Sequence, residues 1–285
     1  MSRELKVAIQ GGLASFHEMA TQQFFRDHAY SLHCCRSFRQ LCDALVQERV
    51  DFGVMAIENS VAGGILANYS LLRDRPLRIV GETYLQVHQH LLALPGQTLA
   101  QIRQVHSHPM ALLQCSEFLA AHPHLICSET HDTAESAREI RERGLRGVAA
   151  IAGTLAAERY GLTAVVRNIE NEKENYTRFL VLQKGAPEVT AAGNKASLSF
   201  QVRHEVGALA AALDVLRREG LNLDLIQSLP IPGQPHRYSF HVDVEWPQGG
   251  RFEAALAALS KTTLELRLLG IYEAAPSPWS ESQKQ

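Results

Sequence analysis

No run of about 18 apolar residues occurs in the chain, so no membrane-spanning helix is expected. The opening segment MSRELKVAIQGG lacks the charged end, apolar stretch and small-residue cleavage site of a secretory signal. Cysteine is sparse: five residues (Cys34, Cys35, Cys42, Cys115, Cys127), with no CxxC pair and no zinc-like spacing. These absences point to a reduced, cytoplasmic protein with buried or inert thiols. Charge of one sign is also lacking, the net value being -2 over 285 residues. No bulk field would draw the chain to nucleic acid or an anionic membrane, and neither is expected as a partner. The dinucleotide fingerprint GxGxxG and the phosphate loop ending GK[ST] are missing, as is any plausible Ser-His-Asp order. HQH (88–90) and HSH (106–108) have no third ligand at suitable spacing, so satisfied or surface histidines are expected rather than a metal site.

What is present is an alternation of short apolar runs with helix-period stretches. LKVAI (5–9) precedes a helical pattern from His17 to about His28. Then come a helical FRQLCDALVQERV (38–50) and the strand FGVMAI (52–57). RIVGETYLQVHQHLLAL (78–94) reads as extended, MALLQCSEFLAAH (110–122) as a helix behind Pro109, and AESAREIRERG (134–144) as a helix closed by Gly144. Strands alternating with crossover-length helices predict an α/β fold with largely parallel sheets. At 185–195, GAPEVTAAGNK reads as a linker. Beyond it, ASLSFQV, GALAAALDVLRREG, LNLDLIQSL, RYSFHVDVE, a helix near 251–262 and LELRLLGIY give β-α-β-β-α-β, a ferredoxin-like layout. The last dozen residues read as a loose tail.

Several polar clusters sit where strands give way to turns. In GGLASFHEMA (11–20) two glycines lie between a strand and a helix, and Ser15 can cap that helix or donate to a ligand; a plain junction and an anion-binding turn both fit. In AIENSVAGG (56–64), Glu58, Asn59 and Ser60 stand at a strand's carboxyl end, where open α/β sheets bind ligands. Gln114 follows Pro109 on its helix, and Asp132 or Thr133 can cap the helix after ETHD. ENYTRFLVL (174–182) sets Asn175, Thr177 and Arg178 ahead of an apolar strand. Hydroxyls, amides and one guanidinium suit holding a small anion better than hydride transfer or hydrolysis.

In this order, SF-x-E-x-A (15–20), IENSVAGG (57–64), SHPMALLQC (107–115), DTAESA (132–137) and NYTRF (175–179), followed by GALAAALDVLRREGLNL (207–223), closely resemble the monofunctional prephenate dehydratase family. The resemblance spans Lys6 to Tyr272. It implies a catalytic region (1–184) of two α/β lobes like type II periplasmic binding proteins, one about 1–80 plus 166–184 and the other about 81–165. A linker (185–195), an ACT regulatory domain (196–273) and a flexible tail (274–285) complete the division. It implies the lyase reaction in which prephenate loses carbon dioxide and its ring hydroxyl to give phenylpyruvate, the precursor of L-phenylalanine. Aromatisation drives that reaction, so no cofactor or metal is required.

By the same resemblance Thr177 assists the departing hydroxide and Arg178 holds a carboxylate, directly or by ordering the site. Ser15, Phe16, Glu58, Asn59, Ser60, Gln114, Thr133, Asn175 and Phe179 are the implied substrate-binding residues, Glu58 and Gln114 chiefly shaping the pocket. Gly207, Ala208, Leu209 and Asn222 would line a site for the effector L-phenylalanine at the interface of a homodimer or homotetramer. No chorismate mutase helices precede Lys6, so a bifunctional enzyme is not expected. Arogenate dehydratase, or a non-catalytic small-molecule sensor using the same cleft, are the alternatives. Three departures stand out. Ala14 replaces a usual glycine, His17 a usual serine, and Gln227-Ser228-Leu229-Pro230 the usual E-S-R-P.

Overall fold

The structure, a computed structural model, describes residues 3–188, 193–247 and 251–278. Along the chain come β1 (Leu5–Gln10), α1 (Phe16–Phe24), β2 (Tyr30–Cys35), α2 (Phe38–Val46), β3 (Phe52–Asn59), the short β4 (Gly63–Gly64), α3 (Leu66–Asp74) and β5 (Leu77–Gln86). Then follow β6 (His90–Ala93), β7 (Gln104–Ser107), α4 (Pro109–Gln114), α5 (Ser116–Ala120), β8 (Ile126–Glu129), α6 (Thr133–Arg143), β9 (Val148–Ala152), α7 (Thr154–Tyr160) and β10 (Thr163–Val166). The chain returns on β11 (Tyr176–Lys184) and ends with β12 (Lys195–Gln201), α8 (Ala208–Arg218), β13 (Asn222–Pro230), β14 (Tyr238–Glu245), α9 (Phe252–Thr262) and β15 (Leu266–Tyr272).

Three sheets organise these elements. The first runs β2-β1-β3-β11-β5, with β4 on the end of β3, and the second runs β10-β6-β9-β7-β8. In the first, β1 is parallel to β2 and β3 while β11 returns antiparallel; in the second, β7 is parallel to β8 and β9. Val7, Ala8 and Ile9 are all fully buried, as a central parallel strand covered on both faces requires. Polar residues cap α1, α2 and α6. Ser15, Ser37 and Asp132 accept the amide N–H three residues on, at 3.4, 3.3 and 2.9 Å, and Gly144 closes α6 at φ 62°.

The segment 78–94 is two strands in two different sheets rather than one extended element. The first crossing between lobes therefore falls at 87–89, not near 80, and all of β5 belongs to the first lobe. The return crossing is also later than 166, because Ile169 still packs in the core of the second lobe with Leu91 and Ile151.

The C-terminal sheet has the order β13-β14-β12-β15, every neighbour antiparallel, with α8 and α9 on one face. This is the ferredoxin-like β-α-β-β-α-β arrangement. Alternation along β12 sorts its side chains: Ala196, Leu198 and Phe200 join the core beneath the helices. Lys195, Ser197 and Ser199 take the other face and are just as deeply buried. That face lies on the first lobe, where Leu229, Leu269 and Tyr272 pack into the same core as Tyr69, Leu72 and Ile79. Gly270 is required there, since an added Cβ would stand 2.2 Å from the Ile79 carbonyl oxygen. The tail is tied down at its start by N–H donation from Ala274 to Asn194 and from Ala275 to Glu82, at 2.8 and 3.1 Å. Part of the linker (189–192) and of the tail (279–285) lies outside the described residues. Cys35, Cys42 and Cys115 are buried, Cys34 and Cys127 lie at the surface with thiols pushed up by partial burial, and all five are free.

Candidate active site

Between the two lobes lies a cleft of about 660 Å³, a volume suited to a small organic ligand. The carboxyl ends of β1, β2 and β3 bring Gln10, Arg36 and Asn59 to its wall; the second lobe contributes His108 behind β7 and His131, Asp132 and Thr133 behind β8. Strand ends facing a crevice between sheets are the usual ligand position in open α/β folds.

The lobes meet closely above the cleft. Added Cβ atoms on Gly11 and Gly12 would stand 2.5 Å from Asp132 Oδ2 and 2.3 Å from Glu135 Oε1. The glycine pair therefore lets the start of α6 dock against the β1–α1 turn, and carboxylates of the chain itself fill the space beside it. Glu18 accepts the Ala14 N–H at 2.5 Å and pairs with Arg159 of the second lobe, and the Tyr160 hydroxyl donates to the Leu13 carbonyl at 2.9 Å. Ala14 pays no side-chain cost but sits at φ 65°, the left-handed region glycine favours.

Of the sequence-derived candidates, Ser15, Phe16, Asn59, Gln114, Thr133, Thr177 and Phe179 line the cleft. Asn175 is buried behind them and joins the lobes through its side-chain amide, which donates to Gln114 Oε1 at 3.3 Å. The Asn59 amide is held in one orientation, because its Oδ1 accepts the N–H groups of Val61 and Ala62 at 3.0 and 2.8 Å. Its Nδ2 must then donate, and it does so to Asn175 Oδ1 at 2.6 Å and Thr177 Oγ1 at 3.0 Å. A hydroxyl oxygen that is already accepting has its hydrogen free to turn outward. This network leaves Thr177 able to donate toward the cleft that it lines.

Three candidates stand elsewhere. Ser60 pins the β3 turn to the segment before β11, accepting from the Tyr176 N–H and donating to the Glu174 carbonyl, each at 2.9 Å. Glu58 and Arg178 pair across β3 and β11 on the face opposite the cleft. Arg178 is 2% exposed and cannot touch a ligand beside Thr177, so the expectation of a direct carboxylate contact is corrected. Successive strand residues face opposite sides, and Thr177 takes the cleft side. The Arg178 guanidinium instead binds Glu82 of β5 at 2.7 Å, Asp243 of β14 at 2.5 Å and the Tyr272 hydroxyl at 3.1 Å. Lys195 joins the cluster through Glu82 at 3.2 Å, and Ser197 and His241 both reach Asp243. Burial opposes ionisation of Asp243, but the Arg178 guanidinium and His241 hold its carboxyl well below the usual range. Glu58 behaves oppositely: burial outweighs the pull of the Arg178 guanidinium across the strands and pushes its carboxyl up.

His17, of undefined role in the sequence, is neutral core. Burial lowers its pKa to about 3, its Nε2 accepts the Ala56 N–H at 3.4 Å, and its ring packs on Phe38 and Phe179. His88 and His90 are engaged by Glu170 and Thr154, at 3.2 and 2.9 Å. Gln10, Arg36, Phe38 and His131 belong to the cleft but were not singled out from sequence. Only their positions at or just beyond the carboxyl ends of parallel strands could have marked them.

Fold and cleft define a two-lobed α/β protein with a ligand-sized cleft between its lobes and a ferredoxin-like unit packed beneath the first lobe. The prephenate dehydratase family profile matches residues 7–187, and the chain belongs to that family of lyases. It is 34% identical to a bifunctional chorismate mutase/prephenate dehydratase of Enterobacter agglomerans, over 94% of this chain and 70% of that protein. It is 32% identical to a bifunctional N-acyl-homoserine lactone acylase/prephenate dehydratase of Komagataeibacter europaeus, over 97% of this chain and 98% of that protein. Among solved structures, a prephenate dehydratase of Arthrobacter aurescens in complex with L-Phe superposes with TM-score 0.82 at 27% identity, covering 94% of this chain and 90% of that one.

Proposed function

We propose that the cleft binds prephenate and converts it to phenylpyruvate, carbon dioxide and water. The observation that carries this reading is the Asn59–Thr177 hydrogen bond, which occupies one lone pair of the Thr177 hydroxyl and leaves its hydrogen free for a ligand. As the ring carboxylate departs, its bonding electrons enter the ring and expel the hydroxyl at the opposite carbon. That oxygen leaves with a developing negative charge and takes up one proton. Thr177 supplies a hydrogen bond to the charge as it forms, which is where a fixed donor lowers a barrier most. A threonine is too weak an acid to yield its own proton outright near neutrality, so the proton arrives by relay from solvent. Phe16 and Phe179 present apolar surface to the ring, and closure between Gln114 and Asn175 fixes its orientation.

The C-terminal unit reads as an ACT-type regulatory domain with L-phenylalanine as effector. Gly207, Ala208 and Leu209 begin α8, whereas Asn222 lies just beyond its other end. An 11-residue helix spans roughly 16 Å. One amino acid cannot bridge the two groups within a single chain, and the reading therefore requires a second copy to complete the site.

The test is absorbance detection of phenylpyruvate from prephenate, with arogenate run in parallel. Turnover of prephenate is the expected result, turnover of arogenate alone would reassign the substrate, and silence on both would leave a binding protein. Calorimetry with L-phenylalanine is expected to give heat and an activity change; neither would remove the effector.

A further inference from the structure

We infer that Arg36 is the cation that grips a substrate carboxylate in the cleft, an inference that rests on the reading of the substrate as prephenate. A dianion entering a largely uncharged cavity needs at least one fixed positive partner, since desolvating a carboxylate without one is costly. Arg178, the guanidinium expected to do this, is committed to Glu82 and Asp243 on the far face of β11. His17 lines the cleft but is held neutral by burial. Among the described lining residues Arg36 is the one lysine or arginine.

Its placement fits the role. Arg36 follows β2 directly and precedes Ser37, which caps α2, so it stands at the carboxyl end of a parallel strand beside Phe38 of the cleft wall. Its backbone is fixed on both sides: the Arg36 N–H donates to Gln40 Oε1 at 2.9 Å, and Ser37 Oγ takes the Gln40 N–H. Its guanidinium is exposed and, among the described residues, has no hydrogen bond or ion pair. Most arginines nearer the cores are engaged by acids, as Arg75 is by Asp43 and Arg159 by Glu18. A fork with five donors and no protein acceptor, on an anchored turn at the mouth of the cleft, matches the bidentate geometry of a carboxylate.

The carboxylate held is that of the pyruvyl side chain, which keeps its charge while the ring carboxylate leaves. The contact is therefore present in the ground state and the transition state alike and belongs to binding, not to the chemical step. Arg36→Ala removes no contact within the fold and leaves the Gln40 bond to the backbone intact. Steady-state kinetics on prephenate are expected to show KM raised by about 10-fold or more, with kcat within about threefold of wild type. Arg36→Lys is expected to fall between the two, since a point charge replaces a fork. A merely structural role would not alter screening. Wild-type KM is expected to rise with ionic strength, and the Arg36→Ala slope to be flatter. Calorimetric binding of prephenate to both proteins separates the possible failures. Wild-type turnover with an unchanged Arg36→Ala KM and salt slope would overturn the role of Arg36 alone. A wild type that neither binds nor converts prephenate would overturn the substrate reading and this inference with it.

Discussion

The two faces of β11 use the same backbone for opposite purposes. On one, Thr177 and Phe179 meet the cleft, and the polar contacts are among neutral amides and a hydroxyl. On the other, Arg178 meets Glu82, Asp243 and Tyr272 in a buried ionic cluster shared with the C-terminal unit. Neutral donors keep a reacting site adjustable and able to release its products. Buried ions tolerate no loss of a partner, and so fix one docking geometry. A single peptide bond separates the hydroxyl that lines the cleft from the guanidinium that fastens the C-terminal sheet. Any shift of that sheet therefore acts on the strand bearing Thr177.

Removing a partner should expose the difference most sharply on the ionic face. Arg178→Met leaves Glu82 and Asp243 buried beside one another with reduced compensation, and is expected to cost about 3–5 kcal/mol in denaturant unfolding. A loss under 1 kcal/mol would show that the cluster is not what binds the units together. On the cleft face the expected effect is kinetic. Asn59→Asp replaces the Nδ2 donor by a carboxylate that accepts from Thr177, turning the hydroxyl hydrogen away from the ligand. We expect kcat to fall by ~10²-fold, about 2.7 kcal/mol in the barrier.

The core behind the cleft carries a pH signature. His17 binds its proton with a pKa near 3 when folded and 6.5 as the reference, so the unfolded chain takes up a proton that the folded one refuses. Stability is therefore complete above the reference value and is lost as pH falls toward 3, by about 2 kcal/mol at pH ~5. Asp243, depressed when folded, adds to the loss at lower pH in the same direction. Urea titrations across this range should show the decline, and His17→Gln should flatten its upper part. The smallest effect concerns the turn that carries Ser15. Ala14→Gly relieves a left-handed alanine and is expected to add about 0.5–1 kcal/mol in the same titrations, less whatever its buried methyl contributes.

Periodicity and capping residues made most of the fold legible. Ser15, Asp132 and Gly144 mark their helix ends, and the alternation in ASLSFQV marks a strand with one face under helices. The crossing at 87–89 was hidden, because consecutive strands in different sheets look the same as one long strand when both are apolar. Thr177 and Asn59 were legible through the motifs around them. For Arg178 two readings were open, direct contact and ordering the site, and strand alternation alone excludes the first: adjacent residues cannot both face one cleft without a bulge between them. Arg36 was not legible, since a lone arginine after a strand is ordinary until the fold shows what that strand's end faces.

The most direct test of the account is kcat for phenylpyruvate formation by Thr177→Val beside Thr177→Ser, with folding verified for each. The account predicts a loss of ~10²-fold or more for valine, which keeps the shape but has no hydroxyl, and substantial retention for serine, which keeps the donor. A folded Thr177→Val enzyme with wild-type kcat would contradict it.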